Sequence, residues 1–265
     1  MYTDYWGLKE APFKNVPDRN IFFRSNPHEE ALVRLLYAVE HHKGAAMLTG
    51  EVGSGKTTIS RVLANRLPKE RFEIKTIVNP ALNSVDFIRA ILVELEEKTE
   101  EESKTILLAR LKNRLLQNAE QKISTVLIID EAHLIKERSS FEELRMLLNL
   151  QSEDQFLITL IMLGQPPLQE KIAALKPLKE RISVKYDLSP LNFQDTVRYI
   201  LFRLTRAGSA RGIFSKKAVK SIFNYAEGIP LRINNVSERS LLIGMMMKAQ
   251  VIDKKIVNFA IEDLK

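Results

Sequence analysis

There is no cysteine among the 265 residues, which excludes disulfides and thiolate-bound metals and suits a reducing compartment. Long apolar runs are missing too. The longest, 156–163 and 241–247, fall well short of the roughly 18 residues needed to cross a bilayer, so no membrane span is expected. Residues 1–14 are broken by Asp4, Lys9 and Glu10 and lack the apolar core of a signal peptide, which makes a cytoplasmic location the expectation. No segment is of low complexity, and none repeats at a fixed period. What remains is a globular composition, 45% hydrophobic and 28% charged, long enough for one larger domain and a smaller companion.

The net charge is +7, and its excess sits at one end: from Tyr186 onward there are 13 Lys and Arg against 7 Asp and Glu. Such a surface would suit nucleic acid or an acidic protein, or it is simply the solvated face of helices.

The short apolar run 45–49 leads directly into GEVGSGKTT. This is G-x-x-x-x-G-K-T after a strand and before a helix, the context a phosphate-binding loop requires. Gly53 and Gly55 free the backbone to aim successive N–H groups at phosphate oxygens, and the helix over 58–66 turns its positive end toward them. The candidate nucleotide contacts are Gly50, Glu51, Val52, Gly53, Ser54, Gly55, Lys56, Thr57 and Thr58. Lys56 would reach the β and γ phosphates, with Thr57 on Mg²⁺.

A carboxylate partner is then required, and VLIIDEAH supplies it. Its β-branched stretch 126–129 reads as a strand buried on both faces, which brings Asp130 and Glu131 to the polar tip. Asp130 would hold Mg²⁺ and Glu131 would polarise the attacking water. His133 has no ligand spacing around it and reads as structural.

Between and beyond these motifs strands alternate with helices: strand 72–78, helix 83–97, the acidic turn 94–103, helix 106–118, helix 141–150, strand 156–164 and strand 183–188. The alternation predicts an α/β fold, a parallel sheet flanked by helices with ligands at the strands' C-terminal ends. From residue 192 only helices follow, over 194–206, 216–226, 231–248 and 253–263, separated by turns at Gly208, Gly212, Gly228 and Pro230. They form a small helical lid, with domains expected at 1–189 and 190–265.

Taken together, YWGLKEAPF, PDRNIFF, HEEALVRLLYAVE, LTGEVGSGKTT, LIIDEAH and MLGQPPL resemble the ExeA or GspA family of AAA+ secretion ATPases, over essentially the whole chain. The resemblance implies a P-loop AAA+ core with its lid, the cofactors ATP and Mg²⁺, and a ring or filament of identical subunits. It implies that Gln165 senses the γ-phosphate, that Arg181 faces a neighbouring subunit's ATP, and that Asn79 restrains the catalytic glutamate. It also implies that the lead-in packs beside the adenine pocket, while by residue type it is equally a core-covering arm. The family usually reads G-x-P-R in the lid, its arginine contacting the γ-phosphate of the same subunit; here Leu231 follows Pro230, and the resemblance implies that role for Arg232, about 100° further round the helix. The implied function is assembly or remodelling of an envelope secretion machine, with protein partners. Similar proteins accompany transposases, so the alternative is a regulator that oligomerises on duplex DNA through Arg198, Arg203, Arg206, Arg211, Lys216, Lys217 and Lys220. Family members often continue into a membrane span and a peptidoglycan-binding domain, neither of which reads in these residues; either a piece of a longer chain or a shorter branch is implied.

Overall fold

Two strands of the chain bury every residue they contain: β1 (Ala45–Gly50) and β4 (Ile158–Gly164). Continuous apolar runs of this kind belong inside a parallel sheet covered on both faces. The computed structural model, which describes residues 1–15, 22–99, 103–152 and 156–265, places them side by side in a five-stranded sheet of order β2-β3-β4-β1-β5, parallel throughout. β3 (Ser124–Ile129) lies inside the sheet, while β2 (Phe72–Ile77) and β5 (Ile182–Leu188) are its edges; β5 alternates in burial, and β2 is half-buried between two buried ends. Charged side chains at Glu73 and Lys75, and at Lys185 and Asp187, sit on those edges, where they discourage pairing with another sheet.

By internal contacts the chain forms two units. The sheet unit comprises Glu29–Gly50 and Lys56–Leu188, and holds most of α2 (Asn26–Glu40), α3 (Lys56–Arg66), α4 (Ser84–Glu94), α5 (Lys104–Glu120), α6 (Arg138–Leu147), α7 (Pro167–Ala173) and α8 (Lys176–Lys179). Its core gathers Phe87, Ile91, Leu107, Leu111, Leu127 and Leu160 among others. α4 begins where Asn83 accepts from the backbone of Val85 and Asp86, and it stops three residues before the expected end. There Glu96 adopts φ 61°, and Glu96 N and Glu97 N bond back to Val93 O and Leu92 O, the left-handed closure usually made by glycine. α7 and α8, of 7 and 4 residues, are too short to announce themselves by periodicity; the sequence reads that stretch as a basic segment before a strand. Residues 100–102 of the acidic turn lie outside the described residues.

The second unit comprises Met1–His28, Glu51–Gly55 and Ser189–Lys265. Four helices build it, α9 (Phe193–Arg206), α10 (Lys216–Ala226), α11 (Pro230–Met246) and α12 (Lys254–Asp263), joined by the short α1 (Tyr2–Trp6). Sequence reasoning assigns the lead-in to the core domain, whereas its contacts are with the C-terminal helices. Trp6 is buried and its indole N–H donates to Leu241 O at 2.9 Å. A Cβ on Gly244 would come within 2.8 Å of that ring, so glycine is what lets it seat. Lys9 N donates to Ala207 O at 2.8 Å, and the buried guanidinium of Arg203 donates to Pro12 O and Lys14 O at 2.5 and 2.8 Å. A buried guanidinium is tolerable only when such acceptors meet it. Residues 17–21 of the PDRNIFF stretch lie outside the described residues. Among the described residues no helix is long and apolar enough to cross a membrane.

Candidate functional site

The sheet order puts β4 between the two motif-bearing strands, with Thr49 of β1 level with Gly164 and Ile129 of β3 level with Met162. Gly50, Asp130 and Gln165 therefore emerge at the same end of three adjacent strands. Parallel strands converge their polar ends here, which is why sites of α/β sheets form at this edge.

Lys56, the first residue of α3, is 5% exposed, and its ammonium donates to Gly50 O at 2.8 Å. A buried cation is tolerable only where acceptors or counter-charges meet it, and the Gly50 carbonyl is one such acceptor. Thr57 Oγ1 donates to Asp130 Oδ2 at 2.7 Å. The other carboxylate oxygen of Asp130 accepts from Glu131 N at 2.9 Å, and Asp130 N donates to Ile77 O at 2.9 Å. Asp130 is thus locked by its backbone on one side and offered to Thr57 on the other. Glu131 occupies the left-handed region, φ 52°.

The phosphate loop has its own support in the second unit. Gly53 and Gly55 take φ of +76° and +106°, conformations that glycine alone adopts freely. A Cβ on Gly53 would lie 2.3 Å from Leu231 Cβ, and one on Gly55 would lie 3.0 Å from His28 Nε2. Leu231 N also donates to Gly53 O at 3.2 Å. Ser54 Oγ, in the same loop, is buried with no hydrogen-bond partner.

Of the other expected residues, Gln165 brings its backbone N–H to His133 Nδ1 at 3.3 Å. Arg181 donates from Nη1 to Leu148 O at 3.0 Å, at the end of α6. Asn79 is exposed, and its Oδ1 accepts from Ala81 N at 3.4 Å rather than meeting Glu131. Arg232 pairs with Glu227 at 2.8 Å, while the residue that touches the loop is its neighbour Leu231. Arg203 is withdrawn from any nucleic-acid surface by the burial described above; Arg198, Arg206, Arg211, Lys216, Lys217 and Lys220 are exposed.

Sequence reasoning overlooked His28, whose only signal was its place in HEEALVRLLYAVE. It lies in the first turn of α2, with Nε2 bonded to Ser54 O at 2.9 Å and Nδ1 to Ser25 Oγ at 2.7 Å. The carbonyl can only accept, so Nε2 carries the proton and Ser25 donates to Nδ1. Burial pushes the His28 pKa down, against the smaller opposing pull of the Ser54 carbonyl and Asp195. Because the folded value lies below the unfolded one, unfolding takes up a proton once pH falls below about 6.5. The stability this neutral imidazole supports is present above that pH and is lost as pH falls toward the folded pKa. His42 is depressed as well, so the comparison must be with His28→Gln: its melting temperature should fall less than the parent's between about pH 7.5 and about pH 5.5.

A family model described as AAA domain matches residues 39–172, more than half of the chain. The chain belongs to the AAA domain family. Proteins carrying this domain bind nucleotide and are typically ATPases. The resemblance to the GspA type is borne out: this AAA protein is 38% identical over 246 residues to General secretion pathway protein A of Aeromonas hydrophila, covering 91% of this chain and 44% of that one. It thus spans less than half the length of that relative. Its fold is similar to that of the ORC1 protein of Aeropyrum pernix solved in complex with DNA, at 18% identity and TM-score 0.71, covering 96% of this chain and 69% of that one. It is similar also to the ORC2 protein of the same organism in ADPNP–ADP complexes, at 16% identity and TM-score 0.69, covering 94% and 71%.

Proposed function

We propose that this AAA protein hydrolyses ATP and couples the cycle to assembly or remodelling of an envelope secretion machine, working in the cytoplasm as a ring or filament of identical subunits. The observation that carries the hydrolytic half is the Thr57 hydroxyl against the Asp130 carboxylate, 2.7 Å apart, one residue from a buried lysine. Hard oxygen donors of this kind fit Mg²⁺, which favours one or two protein oxygens and completes its shell with phosphate and water. Thr57 and Asp130 would hold it, and when bound it neutralises charge on the β and γ phosphates.

In this reading the backbone of residues 50–56 wraps the phosphates, Ser54 and Thr58 supply hydroxyl donors, and Lys56 exchanges its carbonyl acceptor for phosphate oxygen. Glu131 accepts a proton from the attacking water. Gln165 donates to the γ-phosphate, and Arg181 leaves Leu148 O to neutralise charge in a neighbour's site. The Arg232–Glu227 pair is half exposed, worth about 0–1 kcal/mol, so Arg232 can be released to phosphate at little cost. The secretion half of the proposal is supported by the likeness to General secretion pathway protein A.

A second reading, an ATP-dependent regulator on duplex DNA, is favoured by the exposed bases of α9 and α10, Arg198, Lys216, Lys217 and Lys220 among them. One experiment separates the two: ATP turnover by the purified chain, with duplex DNA titrated at low and at high salt. The secretion reading expects turnover with no DNA dependence and no binding even at low salt. Tight binding that falls steeply with salt would transfer the function to the DNA reading, and absence of turnover under both conditions would end the hydrolytic proposal.

A further inference from the structure

After Asp130 the chain turns sharply. Glu131 sits in the left-handed region, φ 52° and ψ 36°, which costs a non-glycine residue about 1–2 kcal/mol, and a 3-10 turn follows over Ala132–Leu134. The turn is clasped from α7, where Lys171 Nζ donates to His133 O at 2.6 Å and to Ile135 O at 2.8 Å. Gly164, the last residue of β4, closes the clasp: a Cβ there would lie 2.8 Å from Leu168 and 3.3 Å from His133 N. The backbone of His133 is therefore held from both sides, and the turn it belongs to is fixed.

Two groups address the same ring nitrogen. Gln165 N–H donates to His133 Nδ1 at 3.3 Å, and Glu131 Oε2 stands 3.3 Å from that atom. One nitrogen cannot serve both, since it carries either a lone pair or a proton. Accepting from Gln165, Nδ1 has no proton for the carboxylate, and Oε2 is buried without a hydrogen bond. An unmet buried acceptor costs about 1–3 kcal/mol, more when charged. The Glu131 carboxylate is thus denied a resting partner on its own turn.

We propose that His133 is a positioning residue of the hydrolytic site. Held by the backbone of Gln165, its imidazole keeps Glu131 from settling on the turn and leaves the carboxylate to accept from water. Any shift of the segment after β4 moves the imidazole and with it the orientation of Glu131, so phosphate sensing and water activation act as one device. Asn79, engaged with Ala81, does not share in it. The proposal rests on the reading of Glu131 as the water-orienting group.

The test compares the parent chain with His133→Ala and His133→Asn in ATP turnover, with nucleotide affinity and melting temperature measured separately. His133→Ala should lower kcat about ten- to a hundredfold, with Kd for a fluorescent ATP analogue within about twofold of the parent. Asparagine can present an amide oxygen near the place of Nδ1, and it should recover most of the rate. In a Glu131→Gln background, single-turnover hydrolysis should lose nothing further when His133 is also replaced. Unchanged kcat in His133→Ala, equal damage by alanine and asparagine, or losses that multiply in the double variant would each overturn the proposal. If the alanine variant does not fold, His133→Leu, of similar bulk but with no acceptor, takes its place against asparagine. A Glu131→Gln variant with the parent rate would remove the assignment of Glu131 and the role of His133 together; a dead Glu131→Gln beside an unaffected His133→Ala removes only the latter.

Discussion

Glu131→Gln is expected to bind ATP as tightly as the parent chain while turning it over about 10² to 10⁴ times more slowly. The amide keeps the shape of the side chain, its αL backbone and its place one residue beyond Asp130, so nothing that grips phosphate or metal is disturbed. What is lost is an acceptor for the proton that leaves water as it attacks. The prediction separates binding from chemistry, and both are read directly, by analogue fluorescence and by phosphate release. Retention of the parent rate would show that some other group orients the nucleophile.

The second large effect concerns Arg181. Its guanidinium donates to Leu148 O at 3.0 Å, and among the described residues no ion pair to a carboxylate accompanies that bond. A cation delivered to a phosphoryl-transfer site by another subunit is worth a factor on the order of 10³ to 10⁵. Arg181→Ala and Lys56→Ala should therefore each be nearly inactive alone, the first for want of the donated cation and the second for want of phosphate binding. Mixed, they should regain a share of the parent rate, because one kind of junction pairs an intact Lys56 with a neighbour's intact Arg181. Mixtures no more active than the separate proteins would place Arg181 outside any shared site.

The placement of residues at the strand tips was legible in the sequence because it obeys rules of adjacency. A buried strand, a glycine-rich turn and a helix following one another put Lys56 and Thr57 at the end of β1, and a second buried strand ending in acids brings Asp130 to the same edge. The helices of the second unit were equally plain, since turns at Gly208, Gly212, Gly228 and Pro230 punctuate them; the structure adds that Asn192, Ser215 and Asp253 each cap the helix that follows. Long-range contacts carried no such signal. That Arg203 reaches back 191 residues to Pro12, or that His28 meets Ser54, depends on how elements dock, and the local residue types are compatible with a solvated arginine and a surface histidine alike. Leu231 is intermediate: the sequence showed that an arginine had moved by one place, and the structure shows that the vacated position makes an apolar contact with the loop.

The seating of the first fifteen residues on the C-terminal helices bears on how the polypeptide can be dissected. Its two ends are partners although they are farthest apart in the chain, so a fragment cut to begin near residue 190 would present the socket of Trp6 to solvent and take from Arg203 the two carbonyls that its guanidinium meets in the lead-in. Whoever wishes to study that portion in isolation would do better to splice the amino-terminal strap onto it than to excise it.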